Sequence, residues 1–364
     1  MEKSGDTCTG FLSLSSESLS EILTVCKSIQ LGASDLLSKC VRMSHCPSKV
    51  TFKSTNGLVY LKITVAGKAD RAFAPKIFEV NSVSRAAELV TGDFRFTDED
   101  RGLQMDFLKG SLDIPIRPLD PEGFDFELGD KKREATFEKE SLIESIQQHK
   151  EIIKKAQVPE LAALFLTEQG FYSSNGMIVA RSSDTNIRAA IRYRDFPAIK
   201  SFIEWTLLSE EDMIIEVYST AVRLVCGDNF LVVPRMQVTL PQNYRSQLDD
   251  FPRTHFYIIK PGVFLSTISV LKSMPQNAGT LRIHTGDGKI YGSSPSKQGK
   301  VSSFVISDRK EGLPTDFDFT MSLEMLSTAI SLFRNDPIMC FSFIEEIPYL
   351  FTDEKAQAIV LKRS

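Results

Sequence analysis

The stretch FEKESLIESIQQHKEIIKKA (residues 137–156) decides how the rest of the chain is read. Leu142, Ile146 and Ile153 recur at helical spacing, which predicts one amphipathic helix with a buried apolar stripe. The helix runs out in Lys150, Lys154 and Lys155. That cationic end stands out because the chain as a whole is slightly acidic, with Lys+Arg 43, Asp+Glu 47 and a formal net charge of −4. Such a balance excludes a general electrostatic trap for nucleic acid, so any contact with phosphate has to be local.

The pattern recurs. LSSESLSEIL (14–23), FEKESLIESI (137–146) and IKPGVFLSTI (259–268) share an apolar spacing: Leu14, Leu19 and Leu23; Phe137, Leu142 and Ile146; Ile259, Phe264 and Ile268. The anchors lie 123 and 122 residues apart. In each copy an alternating strand (GFLSL, ATFE, HFYII) leads into the helix, with Ser16 as the expected N-cap of the first. Strand-rich stretches follow at 49–65, 170–183 and 279–294, where Asn-Gly and Asp-Gly pairs flanked by apolar alternation predict hairpins. Each third then offers a second helix, at 82–90, 196–207 and 322–333, and more strands after it. The order strand, helix, strands, helix, strands is thus repeated three times with little identity. Three unrelated α+β domains sharing a common element order are the alternative reading.

At 364 residues the chain suits two or three domains, and 42% hydrophobic with 25% charged residues is ordinary for a folded chain. Two stretches, 114–134 and 240–255, mix prolines, turn formers and charge without a clear period and read as linkers. They divide the chain into 1–130, 131–252 and 253–364. The six cysteines have no C-x-x-C spacing, which predicts free buried thiols and a reducing compartment. The start lacks an apolar signal core, and the longest apolar run, LAALFL (161–166), is far too short to span a bilayer. The expectation is a cytoplasmic protein that does not engage membranes.

Catalytic patterns are thin. TDEDRG (97–102) clusters acids that could hold magnesium, but adjacent acids near a turn usually form a solvated loop. SPSK (294–297) fits Ser-x-x-Lys without Ser-Asp-Asn or Lys-Thr-Gly to accompany it, and TGDGKI (285–290) reads as a hairpin turn, not a phosphate loop. His45, His149, His255 and His284 make no zinc pattern, and there is no dinucleotide fingerprint. The residues describe a binding protein without cofactor, metal or catalysis.

In this arrangement the chain resembles the bacterial β-type DNA sliding clamp, the polymerase processivity factor. LPQNYRSQL (240–248) is similar to that family's aromatic-Pro-Asp-Tyr-Arg stretch between its second and third domains. DLLSKCVRM (35–43), SSDTNIRAA (182–190), IPYLF (347–351) and AIVLK (358–362) resemble further segments of it. Departures include KSTNGLVYL in place of a Thr-Asp pair, Ile187 preceding Arg188, and about ten extra residues at the start. They point to a distant member of phage type.

The resemblance implies an α+β fold of three repeated clamp domains, each with two helices packed on antiparallel sheets, closing into a ring on homodimerisation. It implies sequence-independent contact with double-stranded DNA through Lys150, Lys154 and Lys155, and through Lys27, Arg85, Lys200, Lys272 and Arg334 at the analogous positions. It also implies a cleft for short linear peptides of a DNA polymerase and a clamp loader. Matching wall residues are Leu166, Ser183, Thr185, Ile187, Pro241, Leu248, Thr320, Leu323, Ile347, Pro348 and Val360. Alternatives stay open at this stage: the lysines as solvated helix ends favoured by the helix dipole, the leucines as core, a non-ring viral-type processivity factor, or a metal-dependent nuclease built on Asp98, Glu99 and Asp100.

Overall fold

The computed structural model describes residues 11–30, 35–69, 74–99, 102–108, 110–183, 185–251, 256–274, 279–287, 289–295, 301–308, 318–333, 338–342, 349–353 and 356–360. Its helices are α1 (Ser16–Ile29), α2 (Val80–Leu89), α3 (Lys139–Lys154), α4 (Phe196–Thr206), α5 (Gln242–Asp249), α6 (Pro261–Ser273) and α7 (Leu323–Ile330). Strands Phe11–Ser15, Lys131–Phe137 and Phe256–Ile259 feed α1, α3 and α6, while Lys76–Glu79, Ala189–Arg192 and Asp318–Ser322 precede α2, α4 and α7. The threefold element order expected from the apolar spacing is therefore present, in an α+β fold of antiparallel sheets.

The chain forms two compact units, Met1–Ile143 with Arg194–Arg235, and Glu144–Tyr193 with Met236–Ser364. In the first, a five-stranded sheet runs from Lys68–Ala69 through Phe11–Ser15 to Gly110–Ile114. An eight-stranded sheet runs from Lys131–Phe137 to Lys76–Glu79. The second unit holds another eight-stranded sheet, from Ala189–Arg192 to Phe256–Ile259, and a four-stranded one. These units follow the sheets, not the three sequence segments. Asn229–Pro234 pairs with Tyr60–Ala66, and Ile178–Ser182 with Ala356–Val360, so hydrogen bonding continues from one repeat to the next.

Local chemistry explains the elements. Asn56-Gly57 and Asn175-Gly176 turn the hairpins, with Gly57 at φ +80° and Gly176 at φ +90°, where a side chain would be strained. α1 buries Leu19, Ile22, Leu23, Val25, Cys26 and Ile29 and packs on α2 and α4. Its cap is Ser15, whose hydroxyl accepts from Ser18 N at 3.2 Å, not Ser16 as the sequence predicts. The preceding strand extends one residue further, so Ser16 is already helical, and its hydroxyl accepts from Gly92 N. In the second unit, alternation along Ile178–Ser182 and Ala356–Val360 separates two cores. Val179 and Ile359 join Phe165, Tyr172 and Leu248 on one sheet face. Ile178, Ala180, Ala358 and Val360 join Phe264, Leu281, Leu323 and Leu326 on the other.

One stretch read as linker is partly helical. α5 lies inside 240–255 and buries Leu248, and Phe251 beyond it is also buried. Of the cysteines, Cys26, Cys40 and Cys226 are free and buried and Cys46 is free and exposed. Burial pushes the Cys26 thiol up to about 12, which makes it chemically inert.

Lys139, at the start of α3, is buried and donates from Nζ to Thr206 O at 2.8 Å and Ser209 O at 2.7 Å. It thereby adds a donor to Thr206 O, the last carbonyl of α4, which also accepts from Ser209 N at 3.0 Å, and ties off Ser209 O just beyond the helix. Lys139→Met keeps the aliphatic stem but removes the charged donor from both carbonyls, leaving Thr206 O with Ser209 N alone. Thermal or urea unfolding should show a loss of about 2 kcal/mol, the usual scale for a buried charge-assisted hydrogen bond.

Candidate functional site

The cations singled out in the sequence fall into two groups. In the second unit, Lys150 and Lys154 are exposed on α3, along a stripe with Gln147 opposite the buried Ile146, Ile152 and Ile153. Lys155, just beyond α3, donates from Nζ to Thr328 Oγ1 at 2.6 Å and lies 3.2 Å from Glu324. Lys272 on α6 donates to Ser327 Oγ at 2.6 Å. Partial burial, then the charge of Lys155, hold the Lys272 pKa below its ordinary value, with Glu324 opposing. The end of α3 with α6 and α7 thus brings two ammonium groups, two hydroxyls and the Glu324 carboxylate together at one place, with one carboxylate offsetting only part of the charge. An anion there would relieve the repulsion between the lysines.

In the first unit, Lys27 on α1 pairs with Glu88 on α2 at 2.8 Å, Arg85 is exposed on α2, and Lys200 pairs with Glu204 along α4 at 3.4 Å. Exposed pairs of this kind are worth about 0–1 kcal/mol, so a phosphate competes readily with the glutamate. Arg334 lies outside the described residues. The helices are not a net cationic surface: Glu17, Glu21, Glu88, Glu140, Glu144, Glu151, Glu204 and Glu324 offset their bases. The positive charge is local, at Lys150, Lys154 and Lys155 around the end of α3 and at Lys272 on α6, while α7 contributes the acidic Glu324.

The second unit also holds a cavity of about 700 Å³, lined by Glu168, Gln169, Arg181, Ser182, Ser183, Asn186, Asp249, Asp353, Ala356 and Gln357. Arg181 organises it. Its guanidinium donates to Asp249 Oδ1 at 2.7 Å, Gln357 Oε1 at 2.7 Å and Tyr172 Oη at 3.3 Å. Burial works against this charge, but Tyr172 and Asp249 outweigh it and raise the pKa. Behind the wall His149 is fully buried, with Nδ1 2.7 Å from Ser173 Oγ and Nε2 2.8 Å from Ser182 Oγ. Burial pushes its pKa down to about 3, so it is neutral near pH 7, one ring nitrogen donating and the other accepting. Ser183 has φ +36° and sits against Gly170 at φ +129°. A Cβ at Gly170 would lie 2.5 Å from Ser183 O, so the close approach of these strand ends requires glycine.

Of the described wall residues expected from the resemblance, only Ser183 lines this cavity. Leu166, Ile187, Leu248, Leu323 and Val360 are buried in cores, with Leu248 on one face of the eight-stranded sheet and Leu323 and Val360 on the other. Thr185 is buried and donates to Thr167 O. Pro241 caps α5, half-buried, and Thr320 is exposed on Asp318–Ser322. Ile347 and Pro348 lie outside the described residues. Arg181, Asp249, Gln357 and His149 carry no local sequence signal, because their partners lie far away along the chain.

The acidic stretch 97–102 forms no metal centre among the described residues. Asp98 lies on Asp93–Glu99 and pairs with Lys76, and Asp100 lies outside them. TGDGKI turns between Thr280–Gly286 and Lys289–Pro295, with Asp287 at φ +46°. No described helix is long and apolar enough to cross a membrane.

No family model and no curated protein matches the chain. Solved structures do. The Bacillus subtilis DNA polymerase sliding clamp superposes with a TM-score of 0.80 at 12% identity, covering 98% of this chain and 100% of that one. The C. crescentus β sliding clamp gives 0.80 at 11%, with 98% and 100% covered. This chain has the sliding-clamp fold. The Helicobacter pylori β clamp, solved with a DNA ligase peptide bound, agrees at a TM-score of 0.77 and 13% identity, over 97% of this chain and 100% of that one.

At such identities the sliding-clamp fold is carried by pattern: the strand-to-helix entries, the Asn-Gly hairpins and the apolar spacing of α1, α3 and α6. Volume and polarity at core positions tolerate wide substitution as long as the pattern holds.

Proposed function

We propose that the protein is a DNA sliding clamp, a processivity factor that encircles duplex DNA as a homodimer and tethers a replicative polymerase. The observation that carries this reading is the match of fold along nearly the whole of both chains, which leaves no large segment of the clamp architecture unaccounted for. In this reading the three repeats are domains 1–130, 131–252 and 253–364, and six domains from two chains close a ring. The protein works in the cytoplasm, without catalysis of its own.

The charge pattern supports a topological hold over a tight grip. Phosphates carry no base information and bind local cations regardless of sequence. Lys150, Lys154, Lys155 and Lys272, with Lys27, Arg85, Lys200 and Arg334, would track the backbone. The glutamates beside them keep that attraction weak, so the ring can slide. Partners would be captured as short peptides, as the H. pylori clamp holds its DNA ligase peptide.

The test is retention. Loaded onto a nicked circular plasmid and passed through a sizing column, the protein should stay with the DNA at ~0.3 M salt, where purely electrostatic binding is largely lost. Linearising the circle should release it. Equal retention on circle and linear DNA would sink the topological reading.

A further inference from the structure

Beyond the reading above, we infer that the segment 125–128 is a displaceable strap, and that the groove beneath it takes an acidic peptide of a partner protein in which carboxylates alternate with aromatic or aliphatic residues. The groove lies on the eight-stranded sheet of the first unit, where Tyr60–Ala66 of one repeat pairs with Asn229–Pro234 of the next, Val232 opposite Tyr60. Tyr218, Ala221 and Val232 are its buried part, Tyr60 and Phe230 its half-buried rim, and Phe126 and Leu128 of the strap fill it. The Phe126 ring lies 4.8 Å from that of Tyr60 and meets Phe230 edge-on at 5.6 Å. Arg42 and Lys53 supply the preference for an acid. The Asp125 carboxylate accepts from Arg42 Nη1 at 3.0 Å and from Lys53 Nζ. The Arg42 and Lys53 side chains are only 18% and 25% exposed, against 49% for Asp125. Lifting the strap leaves two half-buried cations without their carboxylate, and an incoming one satisfies them.

How little backbone holds the strap marks it as displaceable. On one side of it Arg117 N donates to Ile77 O at 2.8 Å and Phe124 is buried with Cys40 and Ile77; on the other, Lys131–Phe137 enters the sheet. Between these anchors, among the described residues, no backbone hydrogen bond involves 126–130, so the cover rests on side chains alone. The second unit differs at its matching strand pair, Ile178–Ser182 with Ala356–Val360. There the covering segment forms α5, buries Leu248 and Phe251, and donates from Met236 N to Ala190 O at 2.9 Å. The first strap also spells out its own replacement. In FDFEL (124–128) apolar and acidic residues alternate, as an extended chain lying on a sheet face requires. Being tethered, it acts at an effective concentration on the order of millimolar, so a free peptide of that sequence competes at a disadvantage that a weaker strap removes.

The probe is a capped fluorescent peptide DFELGD, the sequence of 125–130, titrated against the full chain by anisotropy. Asp125→Asn releases Arg42 and Lys53 from the strap without altering the groove, and should tighten peptide binding about fivefold, the scale of one exposed ion pair. A peptide with asparagine in place of its first residue should lose most of that gain, and one with alanine in place of phenylalanine should not bind. With benzophenone in place of the phenylalanine, the peptide should cross-link the unaltered chain within Tyr60–Ala66 or Asn229–Pro234. That readout depends on no variant folding, and it decides alone if Asp125→Asn does not fold. Absence of binding to either chain, no gain in a folded Asp125→Asn, equal binding of a scrambled peptide, or cross-links elsewhere would overturn the inference. No DNA enters this test, so failure of the topological reading would leave it standing.

Discussion

On acidification from pH 6.5 towards 4 the protein should lose stability steeply, and His149→Gln should remove much of that slope. His149 is fully buried, and burial holds its pKa near 3 against an ordinary value of 6.5. Between those two values the unfolded chain binds a proton that the folded chain refuses. Stability therefore rises with pH across this window and is lost as pH falls through it, by about 1.4 kcal/mol per unit from this one group. Above 6.5 neither state is protonated and the group contributes no slope; below about 3 both are. At pH 4 the deficit is roughly 3 kcal/mol, a large share of the 5–15 kcal/mol that typically separates folded from unfolded chains. Glutamine can offer one donor and one acceptor to Ser173 and Ser182, as the neutral imidazole does, but does not titrate. Urea midpoints at pH 7 and pH 4.5 check the claim. A variant whose pH dependence parallels the original would mean that His149 is protonated in the folded state.

The elements were legible where periodicity speaks about a face. Leu142, Ile146 and Ile153 sit on the buried side of α3, and the Asn56-Gly57 and Asn175-Gly176 turns fall where alternating strands predicted them. α5 was not, because the segment around Tyr244 and Leu248 offers one apolar step at helical spacing and is otherwise polar. The cavity around Arg181 was least legible. In a strand, neighbours point to opposite faces, so a slip of one position exchanges wall for core. Val360 is core while Gln357, three residues earlier, lines the cavity. The Arg181–Asp249 contact joins residues 68 apart, and no local period marks it. Lys139 shows the converse: it looks like another helix lysine, yet its ammonium is spent on the carbonyls of Thr206 and Ser209.

Reversing Lys150, Lys154 and Lys155 to glutamate should cut the equilibrium binding of free protein to duplex by one to two orders of magnitude at ~0.1 M salt, and flatten its salt dependence. Each phosphate contact contributes about 0.9 to the slope of log K against log salt, so losing three lowers it by at most roughly 2.7. The three positions should not be equivalent. Lys150 and Lys154 are exposed on α3, and changing them should alter stability by no more than about 0.5 kcal/mol. Lys155 already donates to Thr328 and faces Glu324, so Lys155→Glu sets two carboxylates side by side and leaves Lys272 as the nearby cation. Its cost in stability should be larger, about 1 kcal/mol, and its share of the salt slope smaller, because part of its charge is compensated before DNA arrives. Retention of a ring already threaded on a circle should respond far less than free binding, since linkage does not depend on these contacts. If circle retention and free binding fell together, the lysines would be gripping the duplex; if neither fell, the end of α3 would not face DNA.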